Sequence, residues 1–532
     1  MKPARFFTCL ILFSAAAFAQ EMDPTSLLKP ATTAWPTYNG DYSGRRNSSL
    51  DQINKSNVGD LALAWAYRAK NYGVAGFAAN IKSTPLMVNG MLYFTMPDNV
   101  WAVDARTGRE VWHFRYPSGP GIHIGSRGVG MYGGTLFFET PDCHLFALNA
   151  RDGKERWRKE IADVKREYFC TMAPLVIGNR VIVGVGGDSL DNPGFLESRD
   201  PETGDVQWRW YTEPKPHEPG SETWPDPDAM AHGGGMTWMP GTYDPELNLL
   251  YWTTGNPNPV HAGQGRKGDN LWTCSIVALN PDTGKLVWYF QPSPHDTHDW
   301  DAVQTPVLFD AEFKGEKRKL LAQASRNGYF FVLDRVTGKN LVTAPFLPNN
   351  WSKGVDARGQ PIPDPKKEPS HDGTLVTPSS NGATNWFPPS FDPATGLFYV
   401  TASQNWSIYY LTAEGKGEGF AGRDDTLNAE AWIEAIDYQN GQVKWKHDIG
   451  GMGTGLLTTA GGLLFAGNNA GHALALDVST GETLWHAGMG ENAMNGPTTY
   501  LVDGRQYVLF GAGDSLFAFT LPRRAAKTVA SR

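Results

Sequence analysis

One phrase returns along the chain and limits its fold more than any other feature. An apolar run ends in Asp or Asn, a Gly-bearing turn follows, and a short strand then ends in Trp. It reads VWAVDARTGREVW at Val100–Trp112, LFALNARDGKERW at Leu145–Trp157 and LESRDPETGDVQW at Leu196–Trp208. It recurs as IVALNPDTGKLVW at Ile276–Trp288, IEAIDYQNGQVKW at Ile433–Trp445 and LALDVSTGETLW at Leu474–Trp485. A copy without Trp, FVLDRVTG, lies at Phe331–Gly338, and a bare strand, LALAW, ends at Trp65. Self-similarity at about 40–50 residues marks a repeat architecture, in which one unit cannot bury its faces alone.

Each phrase predicts strand, tight turn, strand. The Asp side chain bonds backbone N–H groups ahead of it, and the Gly accepts positive φ. Upstream lie further hairpins, such as TPLMVNGMLYFTM at Thr84–Met96 and APLVIGNRVIVGV at Ala173–Val185, with short Asn-Gly or Gly-Asn turns. Two hairpins make a four-stranded blade, and radial repetition of blades makes a β-propeller. Eight phrase ends predict an all-β, eight-bladed propeller of four-stranded blades spanning residues 20–525. Strands at Thr498–Leu501, Gln506–Phe510 and Ser515–Phe519 need an outer partner. The Trp65 strand is the one left over, so the N-terminal strand is expected to close the ring. A β-sandwich leaves the Trp-bearing repeat unexplained.

Residues 1–19 read as a secretory signal. Lys2 and Arg5 precede an apolar core, and Ala17-Phe18-Ala19 offers a small-x-small cleavage site. A periplasmic or secreted location is therefore expected, with residues 526–532 as a tail. Nothing later in the sequence has the length and apolarity of a membrane span. The formal charge of −8 argues against a nucleic-acid partner. Beyond the signal stand Cys143, Cys170 and Cys274, an odd number without metal or haem spacing, read as buried free thiols.

The rhythm stretches in two places. Trp208 and Trp288 are 80 residues apart, and this interval holds HGGGMTW at His232–Trp238 and YDPELNLLYWTTGNPNP at Tyr243–Pro259. SPHDTHDWDA follows at Ser293–Ala302. A second interval, Gly338–Trp445, contains a Pro/Lys/Asp-rich insert at Pro345–Pro369, expected as a surface loop, and then SSNGATNWFPPSFDP at Ser379–Pro393. In an extended segment Asp299 and Asp301 share a face, about 6–7 Å apart at Cα. Such carboxylates repel unless a cation joins them or one is protonated. Oxygen ligands favour a hard, Ca²⁺-like or trivalent ion, and the alternative is a solvated acidic loop. His295 and His298 read as turn and hydrogen-bonding residues.

These segments, together with GDNLWTCSIVALNPDTGKLVW, SRNGYFFVLDR and NWFPPSFDPATGLFYV, resemble the pyrroloquinoline quinone (PQQ) dependent alcohol dehydrogenases of the methanol/ethanol type. The resemblance runs from Trp35-Pro36 almost to the C-terminus. It implies an eight-bladed propeller holding PQQ and a Ca²⁺ or lanthanide ion. It also implies oxidation of an alcohol substrate and a separate electron acceptor such as a cytochrome c. By position it makes Asn256 a metal ligand, Asp299 the base beside the metal and Asp301 the extra carboxylate of lanthanide-using members. Trp238 matches the indole under the quinone, and Arg326 the Arg at its oxygens. Arg127, Thr171, Asn385 and Trp386 match further cofactor contacts.

The chain departs from that family at several points. The adjacent Cys-Cys pair is absent from GPGIHIGSRG at Gly119–Gly128. Ser189 stands at the metal-ligand Glu position, with Asp188 one residue earlier as the remaining acid, on the opposite face if the segment is a strand. Lys82 stands where a Glu meets the quinone and is expected to contact the cofactor carboxylates. Met236 replaces a Thr, and Gly453 a pocket Trp, which leaves room for a bulkier or sugar-like alcohol. The departures also raise an alternative: a non-catalytic propeller that binds a protein or glycan.

Overall fold

Each copy of the phrase folds as two antiparallel strands around its turn. In the first, Asn99–Asp104 pairs with Glu110–Arg115. Asp104 Oδ1 accepts from the N–H groups of Arg106 (2.9 Å) and Thr107 (3.0 Å), and Gly108 turns the chain at φ +71°. The upstream hairpin, Leu86–Val88 with Met91–Met96, completes a four-stranded sheet. The computed structural model describes residues 22, 24–70, 79–119, 124–187, 190–412, 419–451 and 453–523. The signal segment, Asp188, Ser189 and the 526–532 tail lie outside the described residues.

Among the described residues the fold is all-β. Eight sheets have four or five strands, and the one α-helix is Pro227–Ala231. Both ends of the chain share one sheet: Ala62–Arg68 pairs antiparallel with Ser515–Thr520, followed by Arg505–Ala512 and Thr498–Val502. The Pro345–Pro369 insert departs from the surface loop expected of it. It forms a small ribbon, Ser352–Val355 with Pro361–Pro363, and buries Trp351 against Trp300, ring centres 5.0 Å apart.

The repeated Trp has a physical task. Each indole lies flat on the turn glycine of the next phrase. A Cβ on Gly108 would stand 2.5 Å from Trp65, one on Gly153 2.6 Å from Trp112, and one on Gly338 2.6 Å from Trp288. The indole N–H then donates to a backbone oxygen of that same turn: Trp112 to Ala150 at 3.0 Å, Trp208 to Pro281 at 2.8 Å, Trp445 to Val478 at 3.1 Å. Gly is required twice over, for its positive φ and for the ring pressed against it. In the Trp-less copy Ala344 replaces the indole, 2.4 Å from where a Cβ on Gly441 would be. Trp485, the last of the series, donates to Leu61 O at 3.2 Å, at the head of the first long strand.

The core therefore lies between successive sheets. One cluster joins Tyr251, Ile276 and Trp288 of one sheet to Leu321, Phe331 and Leu333 of the next. Burying each such side chain stabilises the pairing by roughly 1.5–3 kcal/mol. Sheets held face to face in this way leave their connecting turns free to carry polar side chains, and the acidic segment is one of these.

Candidate active site

Ser293–Ala302 is not the extended segment that the spacing predicted. It is a turn, built by its first carboxylate. Asp296, buried, accepts from the N–H groups of His298 (3.3 Å) and Trp300 (3.1 Å), and burial pushes its carboxyl up to about 6. Asp299 then takes a left-handed φ of +66°. His295 pairs with Gly268 O (2.9 Å) and His298 with Lys367 O (2.8 Å). Burial holds the His298 imidazole down to about 3, hence neutral. The histidines thus have structural places.

The turn still brings Asp299 and Asp301 together, on one cation. Arg326 Nη1 lies 3.6 Å from Asp299 Oδ1 and 3.1 Å from Asp301 Oδ2. Arg326 comes from the loop between Glu316–Ala324 and Tyr329–Asp334; its N–H donates to Gln304 Oε1 at 3.2 Å. Burial opposes its charge, but Asp299, Asp301 and Asp296 more than offset that and hold its pKa above the usual range. Asp301 is 4% exposed and also accepts from Asn256 N (2.7 Å) and Trp238 Nε1 (2.9 Å). Asp299, 20% exposed, is the more open of the two.

Asn256 follows the strand Leu249–Thr253, and its buried Oδ1 has no hydrogen-bond partner. Gly255 permits this approach, because a Cβ there would stand 2.7 Å from Asp301 Oδ1. The Arg127 guanidinium lies over two rings, 4.7 Å from the centre of the Trp238 indole and 5.2 Å from that of Trp386. Thr171 Oγ1 accepts from Arg127 Nη1 at 2.5 Å, so in this structure Thr171 holds Arg127 in place. Asn385 accepts from Trp386 N through its Oδ1 (2.8 Å) and donates to Asn381 O (2.8 Å). Lys82 is 3% exposed and donates to Ile124 O; burial and then Arg127 push its ammonium down to about 7. Asp188 lies outside the described residues.

Beside Trp386 opens a cavity of about 560 Å³, lined by Asn381, Asn385, Phe387, Asn405, Gly453 and others. Gly382 also lines it, 2.7 Å from Arg326 Cβ for an added Cβ, so the cavity abuts the Arg326 stem. Phe387 fills the space above Gly453: a Cβ there would meet its ring at 2.5 Å. Sequence reasoning expected room at Gly453 but missed Phe387, which takes that space, and missed Gln304 and the turn-building role of Asp296. The close approach at Gly255 was signalled only by its place in Thr-Gly-Asn-Pro.

A family model for the PQQ-type glucose/ethanol/alcohol dehydrogenase β-propeller domain matches residues 35–367 and 431–508. The chain belongs to the family of PQQ-dependent alcohol dehydrogenases. The quinoprotein alcohol dehydrogenase PedH of Pseudomonas putida is 34% identical, over 97% of this chain and 96% of that protein. The crystal structure of the quinohemoprotein alcohol dehydrogenase of Comamonas testosteroni superposes with a TM-score of 0.87. That match covers 97% of this chain and 85% of the other, at 32% identity. A europium-containing methanol dehydrogenase gives 0.85, over 93% and 99%, at 29% identity.

The residues present fit the family's groups. The flat, anionic quinone finds an indole face at Trp238, cations at Arg127, Arg326 and Lys82, and buried polar atoms without partners at Arg127 Nε, Arg326 Nε and Gln304 Nε2. A hard cation finds the unpartnered Asn256 oxygen beside two carboxylates. Among the described residues no three His, Cys, Asp or Glu side chains form a metal cluster, so an ion there depends on the amide oxygen and shares both carboxylates with Arg326.

Proposed function

We propose that this protein oxidises the hydroxyl of an alcohol larger than methanol to a carbonyl, with PQQ and a calcium or lanthanide ion, in the periplasm or outside the cell. The observation that carries it is the Asp299/Asp301 pair clamped by Arg326 beside the unpartnered Asn256 oxygen. A propeller that only bound a protein or glycan would have no use for two desolvated carboxylates on one guanidinium. In this reading the eight sheets are the blades of one ring, completed by Ala62–Arg68.

The bound quinone and ion would supply the two-electron acceptor and the Lewis acid, chemistry that side chains lack. The chain supplies positioning and proton handling. Asp299, the more exposed carboxylate, takes the hydroxyl proton of an alcohol entering from the cavity. Asp301, fixed by three donors, holds Trp238 and the Asn256 loop in register. Arg127, supported by Thr171 and joined by Lys82, meets anionic groups of the cofactor. Trp238 and Trp386 frame the ring site, and Asn385 braces Trp386. The cavity volume favours a bulky or polyol-like substrate, although Phe387 takes the space that Gly453 leaves, and electrons pass on to a separate acceptor such as cytochrome c. The test is reconstitution of purified protein with PQQ and Ca²⁺ or a lanthanide, followed by dye-coupled alcohol oxidation. Failure to take up PQQ with either ion refutes the proposal.

A further inference from the structure

The sequence offered three cysteines as free thiols, but two of them meet. Cys143 and Cys170, 27 residues apart in sequence, place their sulfurs 2.6 Å apart. A sulfur–sulfur bond is about 2.05 Å long. Two separate thiols repel at a distance only about half an ångström beyond it. Both residues are buried, Cys143 at 0% and Cys170 at 1% exposure, in a cluster with Phe137, Tyr168 and Val183. Cys274 is buried in another part of the chain.

We infer that Cys143 and Cys170 form a disulfide that positions the floor of the active site, leaving Cys274 as the single thiol among the three. The two thiols lose two protons and two electrons to an oxidised dithiol of another protein, which becomes reduced as the bond forms. Burial pushes both thiols up in the folded protein and leaves no path for an exchange partner. The bond therefore forms before the sheets close over it.

Its place gives it a role. Cys143 sits in the turn before His144–Asn149, and its carbonyl accepts from Ile161 N at 2.7 Å. Cys170 lies between two residues that bridge neighbouring segments. Phe169 exchanges backbone hydrogen bonds with Gly186 (3.1 and 2.8 Å), two residues before Asp188. Thr171 accepts from Arg127 through both its backbone oxygen, at 2.9 Å, and its hydroxyl. A covalent link at Cys170 fixes the shelf that aims Arg127 at Trp238 and, through Phe169, the backbone at Gly186. Cys143 and Cys170 touch neither substrate nor cofactor; they are positioning residues.

The linkage stands apart from the proposed function and is tested first. Full-length protein, expressed with its own leader, is lysed in denaturant containing an alkylating agent, so that buried thiols react, and mapped by peptide mass. Cys143 and Cys170 are expected in one linked, unalkylated pair, with Cys274 alkylated. Alkylation of both Cys143 and Cys170 overturns the inference. The positioning role is read from Cys143→Ala/Cys170→Val, with PQQ uptake followed by absorbance. Half-saturation is expected to rise about tenfold or more, the range found when supports of a bound group are removed, while kcat at saturating PQQ stays near the parent. An unchanged half-saturation refutes that role. Should the variant not fold, the same shift is sought in parent protein reduced under mild denaturant and refolded in reductant.

Discussion

Replacing Arg326 with Met removes the guanidinium that the structure places between Asp299 and Asp301. The Arg326 side chain is 8% exposed and stands 3.1 Å from Asp301, itself 4% exposed. Deleting one partner of such a buried pair costs about 3–5 kcal/mol, because the other charge is left uncompensated. Asp301 keeps its donors from Asn256 N (2.7 Å) and Trp238 Nε1 (2.9 Å), which sets the cost near the lower end, about 3 kcal/mol. With a melting entropy of about 2.1 cal/mol/K per residue, a chain of this length has roughly 1 kcal/mol/K in all, so Tm falls by about 3 °C. Scanning calorimetry in metal-free buffer measures this. Added Ca²⁺ or lanthanide is expected to recover more stability in Arg326→Met than in the parent, since it returns the missing charge to the same two carboxylates. Arg326→Lys falls between the two, because an ammonium does not reproduce the planar fork. A variant that melts with the parent and gains nothing from the ion refutes the clamp.

Asp299→Asn is expected to lower dye-coupled turnover by about 10²–10⁴-fold, the usual worth of a positioned base, with a fall in Tm smaller than that of Arg326→Met because Arg326 keeps Asp301 at 3.1 Å. Stopped-time activity assays beside a thermal melt check it, and retained turnover refutes the role. Lys82 carries its charge below about 7 and loses it above, so affinity for the anionic quinone should fall as pH rises through that value. Lys82→Met should bind more weakly at low pH and show no such step, as measured by PQQ titration across neutral pH. Gly453→Trp should cut kcat/KM for a phenyl-bearing alcohol by about tenfold or more while sparing ethanol, since its Cβ would stand 2.5 Å from the Phe387 ring and push that ring into the cavity.

The sequence made the repeat visible but not its contact. Each phrase carries both a Gly and a Trp, and periodicity alone gives no sign that the Trp of one phrase lies on the Gly of the next. That pairing is a property of neighbouring sheets, formed at a separation of about 40 residues: Trp65 to Gly108, Trp112 to Gly153. The acidic segment shows the opposite case. Its residues were legible, while the geometry assumed for them was not. Strand alternation was expected to put Asp299 and Asp301 on one face; instead Asp296 caps the N–H groups of His298 and Trp300 and turns the chain through a positive φ at Asp299. The two carboxylates converge because a guanidinium from a distant loop, that of Arg326, meets them, a long-range contact that no local pattern encodes. The cysteine pair was hidden for the same reason, since 27 residues and a sheet boundary separate its members.

The charges around Trp238 argue that these contacts form one site. The indole N–H donates to Asp301, which shares Arg326 with Asp299, while Arg127 covers the face of the same ring. The N–H edge of the indole therefore meets Asp301, which shares Arg326 with Asp299. Its face meets Arg127, whose charge is felt by Lys82. Arg127 and the carboxylates do not pair with each other: the carboxylates lie on Arg326, and Arg127 feels Tyr38 and Glu139. They are held apart instead, Arg127 by Thr171 and Asp301 by the Asn256 backbone. Such separation costs stability in a buried setting and is tolerated where a ligand supplies both complements. A planar molecule with carboxylates at one end and metal-seeking oxygens at the other meets both. The cost should vanish on loading, so the parent protein is expected to gain more in Tm from PQQ and metal together than from the sum of each alone.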